Sequence, residues 1–389
     1  MRTLRSDLAL RALSAPALVL TTSCIVDGET NMTQPPLAEV AEARPFGDSH
    51  LTNVRDLLPG TGDKIWVLDA VEPFVHLYRS DGTPPVSFGR AGRGVGEMLN
   101  PVVLLNDEPA PNVWDRGNHS RLRLSTDGVI YDGGRLETQL LFHARSDIQE
   151  VSYGRPFRAR RIRGSVVTAV YPQGLNADVD FRYGRIVRVT DAGIDVLVEF
   201  QGLLGGEEAT GRPHPRNLVG IPLWDVCPDG SIHLLDPYQR SLLRLTPNGS
   251  IRDTLDLPLG TETLESQHIR RYLRLMVVHE LGSGAAGEPD VEREIERLAD
   301  AHRDDFGEHV PPAADLLCDF AARTWIERFD NSADPLGYGR DWLVVEGDTF
   351  RRVRFPERFR PIHIGERQAI GILTDSLDVQ RVATTEIPF

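Results

Sequence analysis

The sequence predicts an all-β fold built from repeated small sheets that form the blades of a propeller. Between Val54 and Pro101, the runs KIWVLD, HLYRSDG and PVSFGR are rich in β-branched and aromatic residues and are bounded by Gly, Pro or Asp, as hairpins are. Three aspartates, Asp69, Asp115 and Asp236, are each followed twelve residues later by an Asp-Gly or Asn-Gly turn. The 46 residues that separate Asp69 from Asp115 are a plausible length for one propeller blade.

The composition favours a folded, acidic chain. It has 389 residues, 40 % of them hydrophobic and 26 % charged, which allows a sizeable core. The net charge of −14 argues against nucleic acid as a partner, because such binding depends on Lys and Arg contacts to phosphate. We interpret the basic run RARRIR at residues 158–163 as a solvated strand or loop.

Residues 1–24 are predicted to be an export signal. Three arginines precede or flank an apolar stretch at 12–20 that is too short to span a bilayer. The stretch LTTSC resembles a bacterial lipobox and predicts lipidation of Cys24, although Thr21 stands where an aliphatic residue is usual. The alternative is an ordinary cleaved signal or a disordered N-terminus. A polar, proline-bearing tether is expected at 25–36, and the protein is predicted to be exported to the cell envelope, lipid-anchored or periplasmic.

Two cysteines remain if Cys24 carries a lipid. Cys227 and Cys318 lie far apart in sequence and are either free buried thiols or a single bridge. The chain has no CxxC pair that would indicate a redox or metal site.

The middle of the chain diverges from the repeat. Residues 140–201 contain LLFHA, RGSVVTAVYP, FRYGRIVRV and IDVLVEF, which predict a long third blade, and this length leaves seven blades open. Residues 202–217 are predicted to form an exposed loop, with a lid as the alternative. At 261–306, two segments with apolar residues at helical spacing flank GSGAAG and predict a helical hairpin inserted between blades.

Strand patterns return near residue 312. A fifth blade is predicted at 312–358 and a sixth at 359–387. The segment 37–46 is expected to supply the missing strand of the last blade, since joining both termini in one sheet removes free edges. The propeller domain is therefore predicted to span 37–389.

The run FGRAGRGVGEMLNP at 88–101 resembles the FGxxGxGxGEFxxP signature of NHL-type six-bladed β-propellers, with Met98 in place of the usual Phe. DRGNHSRLRL resembles their strand-turn-strand repeat, and FPERFRPIHIGERQAIGILTDSLDVQRV resembles the C-terminus of uncharacterised bacterial propellers that are often secreted or lipid-anchored. The resemblance implies six blades over 37–389 apart from the helical insertion. It implies little about activity, because one fold hosts many functions.

Known catalytic motifs do not match this sequence. His279-Glu280 is followed by Ser283 where a zinc protease needs a second His, and Ser283 is not part of a G-x-S-x-G elbow. The glycines at 89–96 are not followed by the Lys-Ser/Thr of a phosphate loop. We therefore assign no catalytic, cofactor-binding or metal-ligating residue.

Metal-dependent propellers provide the alternative. In propeller lactonases and esterases, a calcium ion in the central channel is held by Asp, Asn and Glu side chains, and Asp69, Asp115, Asp225 and Asp236 are candidates by type. The three repeated aspartates are better explained as turn-formers, whose carboxylates accept backbone N–H groups.

Histidine and tryptophan offer two further hypotheses. A zinc lyase could use His76, His119 or His233, but the histidines lack ligand spacing, so satisfied or exposed side chains are expected. Five tryptophans are expected to pack between blades rather than to stack on sugars: Trp66, Trp114, Trp224, Trp325 and Trp342.

The sequence as a whole favours a monomeric, non-enzymatic propeller that binds a protein, peptide or glycan in the cell envelope, without a cofactor. The membrane would be contacted only through the lipid anchor. A metal-dependent hydrolase of the lactonase type, with Ca²⁺ in the channel, is the alternative. A third hypothesis is a structural partner in an envelope complex, with its contact on the insertion at 261–306.

Overall fold

The computed structural model divides the chain into residues 1–34 and Pro35–Phe389, and all described residues belong to the second unit. The structure describes residues 35, 37–46, 51–79, 81, 83–106, 110–118, 120–125, 130–135, 158–162, 164–170, 183–190, 193–201, 205–207, 213–215, 222–237, 239–281, 288–301, 303, 306–329, 341–375 and 379–388. The predicted signal segment with Cys24, and all of the tether except Pro35, lie outside them. Those assignments and the domain boundaries stay predictions.

The described chain folds as a six-bladed β-propeller, which confirms the predicted fold class. After two short strands, β1 (Leu37–Glu39) and β2 (Arg44–Pro45), blade 1 contains β3 (Val54–Pro59), β4 (Lys64–Asp69), β5 (Val75–Arg79) and β6 (Val86–Phe88). The short strands β7 (Arg90–Ala91) and β8 (Glu97–Met98) lead to blade 2, which contains β9 (Pro101–Leu105), β10 (Asn112–Asp115), β11 (Ser120–Leu124) and β12 (Ile130–Arg135).

Blades 3 and 4 continue the ring. Blade 3 contains β13 (Ala159–Ile162), β14 (Ser165–Val170), β15 (Tyr183–Thr190) and β16 (Gly193–Gln201), and is followed by the small hairpin β17 (Gly205–Glu207) and β18 (Pro213–Pro215). Blade 4 contains β19 (Leu223–Val226), β20 (Ile232–Asp236), β21 (Ser241–Leu245) and β22 (Ile251–Asp256). The strands of blade 3 form one sheet, so the long third segment adds one blade and the total is six.

Two helices precede the last two blades in the chain. They are α1 (Ser266–Leu281) and α2 (Pro289–Ala301). Blade 5 contains β23 (Ala313–Cys318), β24 (Thr324–Arg328), β25 (Asp341–Glu346) and β26 (Thr349–Arg354). Blade 6 contains β27 (Phe359–Ile364), β28 (Gln368–Thr374) and β29 (Gln380–Glu386).

The N-terminal segment closes the ring, but over a shorter stretch than the sequence predicts. Only β2 joins blade 6, where Arg44 pairs with Thr384 and Pro45 with Ala383. The preceding strand β1 runs parallel to β26 and becomes the fifth strand of blade 5. The expectation that all of 37–46 extends the last blade is therefore wrong. The segment covers the outer strands of two neighbouring blades, so that each of these sheets ends on a very short strand, which limits edge-to-edge pairing.

The first strand of each blade is the innermost. First strands contact one another in sequence around the ring, from β3 to β9 to β13, from β19 to β23 to β27, and from β27 back to β3. These innermost strands therefore surround a central channel. Those of their side chains that do not pack within or between the blades face this channel.

The core lies between adjacent blades. Trp66 and Leu68 of blade 1 pack against Leu104, Val113 and Leu122 of blade 2. The other interfaces follow the same plan, and the predicted packing of the tryptophans is confirmed by side chains that are at most 7 % exposed: Trp66, Trp114, Trp224, Trp325 and Trp342.

The predicted helical hairpin is confirmed by α1 and α2, which contact each other and lie within the predicted insertion at 261–306. Pro289 opens α2, where its missing N–H costs nothing. The buried Ile269 and Ala299 pack with Phe306, and Phe329 at the end of β24 joins them, so the hairpin is anchored on blade 5. Of the helices described, neither is both long and apolar enough to cross a membrane.

The glycine-rich signature is a structural crossover from blade 1 to blade 2. The Glu97 carboxylate lies inside the loop, accepts the Gly94 N–H at 2.6 Å and pairs with Arg90 at 2.7 Å. Gly92 has a φ angle of 153°, a backbone conformation that L side chains rarely adopt, so this position favours glycine. Met98 is fully buried in the core of the first two blades. The signature thus fixes a turn around a carboxylate.

Candidate functional site in the central channel

The repeated aspartates Asp69 and Asp115 are turn-formers, as predicted. Each carboxylate accepts three backbone N–H groups at 2.8–3.2 Å. Two of the donors lie just before the first strand of the same blade, and the third lies two residues after the aspartate. The donors are Thr52, Asn53 and Val71 for Asp69, and Leu99, Asn100 and Gly117 for Asp115. The third copy, Asp236, accepts the Gln239 N–H at 3.1 Å. These bonds use the oxygens of Asp69 and Asp115 that a calcium ion would need.

A different set of charges comes from the innermost strands. Their acidic members are Asp56 on β3, Asp225 on β19 and Asp315 on β23. Their basic members are Arg158, which directly precedes β13, and Arg160 within it. Because residues two apart on a strand point to the same side, both arginines face the carboxylates.

Arg158 connects three blades. Its guanidinium donates from Nη2 to Asp315 Oδ1 at 2.7 Å and from Nη1 to the Trp224 carbonyl oxygen at 2.9 Å. Nη1 also donates to the Leu316 carbonyl oxygen and lies 3.7 Å from Asp225 Oδ2. Burial lowers the pKa of Arg158, but Asp315 and Asp225 outweigh it, so its pKa rises above the ordinary value. Arg158 is thus a charged cross-link among blades 3, 4 and 5.

Arg160 makes fewer contacts. Its Nε donates to Asp225 Oδ1 at 2.9 Å, and Nη1 reaches only the carbonyl oxygen of Ala159, at 3.5 Å. The side chain is 25 % exposed, whereas that of Arg158 is 7 % exposed. Among the described residues, no acceptor contacts Nη2 of Arg160. Among the residues that the structure describes, one edge of this guanidinium thus lacks an acceptor.

The carboxylates also join neighbouring blades. Asp225 accepts the Cys318 N–H at 3.0 Å. Asp56 accepts the Leu104 N–H at 2.8 Å. Burial raises the pKa of Asp225, but Arg160 and Arg158 outweigh it and hold its pKa below the ordinary value. For Asp56 burial dominates over the attraction of Arg160, so its pKa is raised.

His363 adds an imidazole from blade 6. Burial lowers the pKa of His363 to about 4, and the positive charge of Arg160 acts in the same direction. Asp225 and Asp319 oppose that shift without cancelling it. His363 is therefore neutral near pH 7 and adds no positive charge to the channel.

The channel carboxylates that bind arginine are poorly suited to holding calcium. Calcium takes six to eight oxygen ligands from carboxylates, carbonyls and water. Here Asp225 and Asp315 bind arginines, and the carbonyl oxygens of Trp224 and Leu316 bind Arg158. The arginine side chains thus occupy these particular oxygens.

One interpretation of the sequence is wrong. The run RARRIR is not a solvated segment throughout, since Arg158 is 8 % exposed and paired with channel carboxylates. Two features of the sequence could have identified the paired charges. Arg158 and Arg160 are two residues apart at one innermost strand, and three aspartates lie on other innermost strands: Asp56, Asp225 and Asp315.

The two remaining cysteines form the single bridge that the sequence left open. The Cys227–Cys318 disulfide joins the end of the innermost strand of blade 4 to that of blade 5, with Cα atoms 5.1 Å apart. His233 Nδ1 lies 3.4 Å from Cys227 Sγ, and burial lowers the pKa of His233 to about 4.

Of the other two histidines proposed for a lyase, His76 contacts a different partner. His76 Nδ1 lies 2.8 Å from Ser87 Oγ, as expected for a satisfied core histidine. His119 lies outside the described residues.

Comparisons with known proteins support the fold. No protein-family model matches the chain. No curated protein matches it either. Among solved structures, a member of the DUF4221 family from Bacteroides vulgatus is similar, with a TM-score of 0.51, 8 % identity, and coverage of 89 % of this chain and 98 % of that one. Regucalcin, a calcium-binding protein from Agrobacterium tumefaciens, has a TM-score of 0.45 and 10 % identity, covering 91 % and 96 % of the two chains.

Virginiamycin B lyase from Staphylococcus aureus has a TM-score of 0.42 and 9 % identity, covering 89 % of this chain and 99 % of that one. The similarity to the DUF4221 structure, at 8 % identity, indicates a shared fold and nothing about activity. The described chain is thus a six-bladed β-propeller.

Proposed function

We propose that this protein is a non-enzymatic binding propeller of the bacterial cell envelope, whose channel takes an acidic group of a protein, peptide or glycan. The observation that carries the proposal is the pairing of the channel carboxylates with Arg158 and Arg160. Carboxylates held in this way are poor metal ligands and poor general bases, since each arginine stabilises the ionised, hydrogen-bonded state.

Arg160 is the group that we expect to contact the ligand. Asp225 holds Nε and so fixes the plane of the guanidinium, while the Nη2 edge stays open. A guanidinium oriented by one carboxylate can bind a second acidic group through its remaining N–H donors. A peptide carboxylate or an acidic sugar fits this requirement, and the net charge of −14 disfavours a polyanion such as nucleic acid.

The test compares binding and hydrolysis in the same preparation. The purified chain would be titrated by calorimetry with acidic peptides and uronic acid oligosaccharides, and assayed with lactones and aryl esters with and without Ca²⁺. We expect binding of an acidic ligand that Arg160→Gln weakens at least tenfold, with an unchanged circular dichroism spectrum. Arg185→Gln is the matched control, because Arg185 pairs with Glu199 on the outer strands of blade 3.

Calcium-dependent turnover that Asp225→Asn abolishes would overturn the proposal in favour of a hydrolase. Equal binding by the wild type and Arg160→Gln would overturn the assignment of Arg160.

Attachment to the envelope is a separate part of the proposal and depends on the LTTSC stretch. If Cys24 is acylated, Cys24→Ser should move the protein from the membrane to the soluble fraction and remove the acyl mass from the intact chain. A variant that stays in the membrane fraction without loss of mass would contradict lipidation.

A further inference from the structure

The disulfide between blades 4 and 5 lies beside a third metal-ligating side chain. His233 on β20 directs Nδ1 toward both sulfurs, 3.4 Å from Cys227 Sγ and 3.8 Å from Cys318 Sγ. Among the residues that the structure describes, these three are the one group of His, Cys, Asp or Glu side chains close enough to bind a common metal ion. Their three ligand atoms lie within 4.8 Å of one another.

These distances match a zinc site. With Zn–S bonds of about 2.3 Å and a Zn–N bond of about 2.1 Å, tetrahedral geometry places the nitrogen about 3.6 Å from each sulfur. The two nitrogen–sulfur distances observed, 3.4 and 3.8 Å, lie on either side of that value. The remaining difference is the separation of the sulfurs, which must rise from a bonded distance of about 2.0 Å to about 3.8 Å. Side-chain rotation of the two cysteines can supply this change once the bond is broken.

From this geometry we infer that reduction of the Cys227–Cys318 disulfide creates a thiolate–imidazole site that binds one Zn²⁺ ion through Cys227, Cys318 and His233. The site uses neither channel arginine as a ligand and does not depend on the proposed acidic ligand. Three protein ligands leave a fourth zinc position for water.

The redox step balances with a dithiol as the reductant. A thiolate of the dithiol attacks Sγ of Cys318, the more exposed of the two cysteines, and Cys227 leaves as a thiolate. The second thiolate of the reductant then attacks the mixed disulfide and releases Cys318, so the reductant becomes a disulfide and two electrons reach the protein. Zinc binding keeps both thiols ionised and releases their protons to solvent.

One neighbouring group competes with the metal. Thr324 Oγ1 lies 2.6 Å from His233 Nδ1, within hydrogen-bond distance of the nitrogen that would bind zinc. Zinc must displace this hydroxyl from Nδ1. Thr324→Ala should therefore tighten zinc binding, a result that a purely structural role for the cluster would not produce.

The experiment measures metal binding by the full chain in its two redox states. The protein would be reduced with a phosphine under nitrogen, freed of reductant, and titrated with Zn²⁺ in competition with a chromophoric chelator. Co²⁺ would serve as a spectroscopic probe. We expect one equivalent of Zn²⁺ in the reduced protein, none in the oxidised protein, and a thiolate-to-cobalt charge-transfer band. His233→Asn should weaken binding at least tenfold, and Thr324→Ala should strengthen it.

His76→Asn is the matched control, because His76 is another buried histidine but contacts Ser87 instead of sulfur. Equal zinc affinity in the oxidised and reduced proteins would overturn the inference. So would an unchanged affinity in His233→Asn. Loss of the native circular dichroism spectrum on reduction would also overturn it, since the site requires a reduced chain that stays folded.

Discussion

The aspartates at the turns and those in the channel of this propeller differ in the groups that bind their carboxylates. At the turns, Asp69 and Asp115 are satisfied by backbone N–H groups close to the ends of their own strands. In the channel, Asp225 and Asp315 are satisfied by arginines that come from another blade. The first arrangement is local and recurs in the repeat, whereas the second depends on the ring being closed.

This difference has an energetic consequence. A turn carboxylate that is removed leaves neutral N–H donors near the protein surface, where water can replace some of the bonds. A channel charge that is removed leaves an opposite charge buried and unpaired, which is the more costly state. Disruption of the channel should therefore cost more stability than disruption of a turn.

The largest expected effect comes from Arg158→Met. Removing this guanidinium leaves Asp225 and Asp315 with less positive charge nearby, and the loss of a buried partner typically costs about 3–5 kcal/mol. The free energy of unfolding would be measured by urea denaturation at pH 7. Arg185→Met, which breaks a surface pair with Glu199, should cost no more than about 1 kcal/mol. Equal losses of unfolding free energy in the two variants would contradict the expected difference between the buried and the exposed ion pair.

The second largest effect is a decrease in the free energy of unfolding at acidic pH. The pKa of His363 is about 4 in the folded state, while an unfolded histidine titrates near 6.5. Between these values the unfolded chain binds the extra proton at His363, so the contribution of His363 to stability, on the order of 3 kcal/mol, is lost as the pH falls from about 6.5 to about 4. His363→Gln should flatten this part of the curve in urea denaturation across pH. A slope that is unchanged in the variant would show that other groups cause it.

A smaller effect is expected at the turns. Asp115→Ala removes the acceptor for three N–H groups and should cost about 2 kcal/mol, because some of these donors are only partly buried and can bind water. Asp81→Ala is the matched control, since Asp81 is an exposed turn aspartate that bonds Thr83, and its thermal midpoint should barely change. If Asp115→Ala lowered the free energy of unfolding more than Arg158→Met does, the turn aspartates would contribute more stability than the channel charges, contrary to expectation.

The smallest effect separates the two arginines of the same strand. Arg160→Gln should lower the free energy of unfolding by only about 1 kcal/mol, because Arg160 is partly exposed and Asp225 keeps Arg158 and the Cys318 N–H. Its main effect should be on ligand binding. A loss as large as that of Arg158→Met would mean that Arg160 is a structural cross-link as well.

The repeat and the helical hairpin were predictable because they depend on local patterns. The spacing from Asp69 to its Asp-Gly turn reflects a hairpin whose hydrogen bonds lie within about twenty residues. The helices follow from apolar residues that must share one face. The division of residues 37–46 between two blades was not predictable, because β1 and β2 pair with strands more than 300 residues away in the chain.

The sequence by itself determined the strand-rich repeat, the turn aspartates and the insertion, because alternation, turn residues and helical spacing act over short distances. Only the tertiary structure decided that Arg158 crosses to Asp315, 157 residues further on, and that Cys227 bonds Cys318 with His233 beside them. Closure of the ring brings these groups together. Burial then makes each charge depend on a partner that no local pattern specifies.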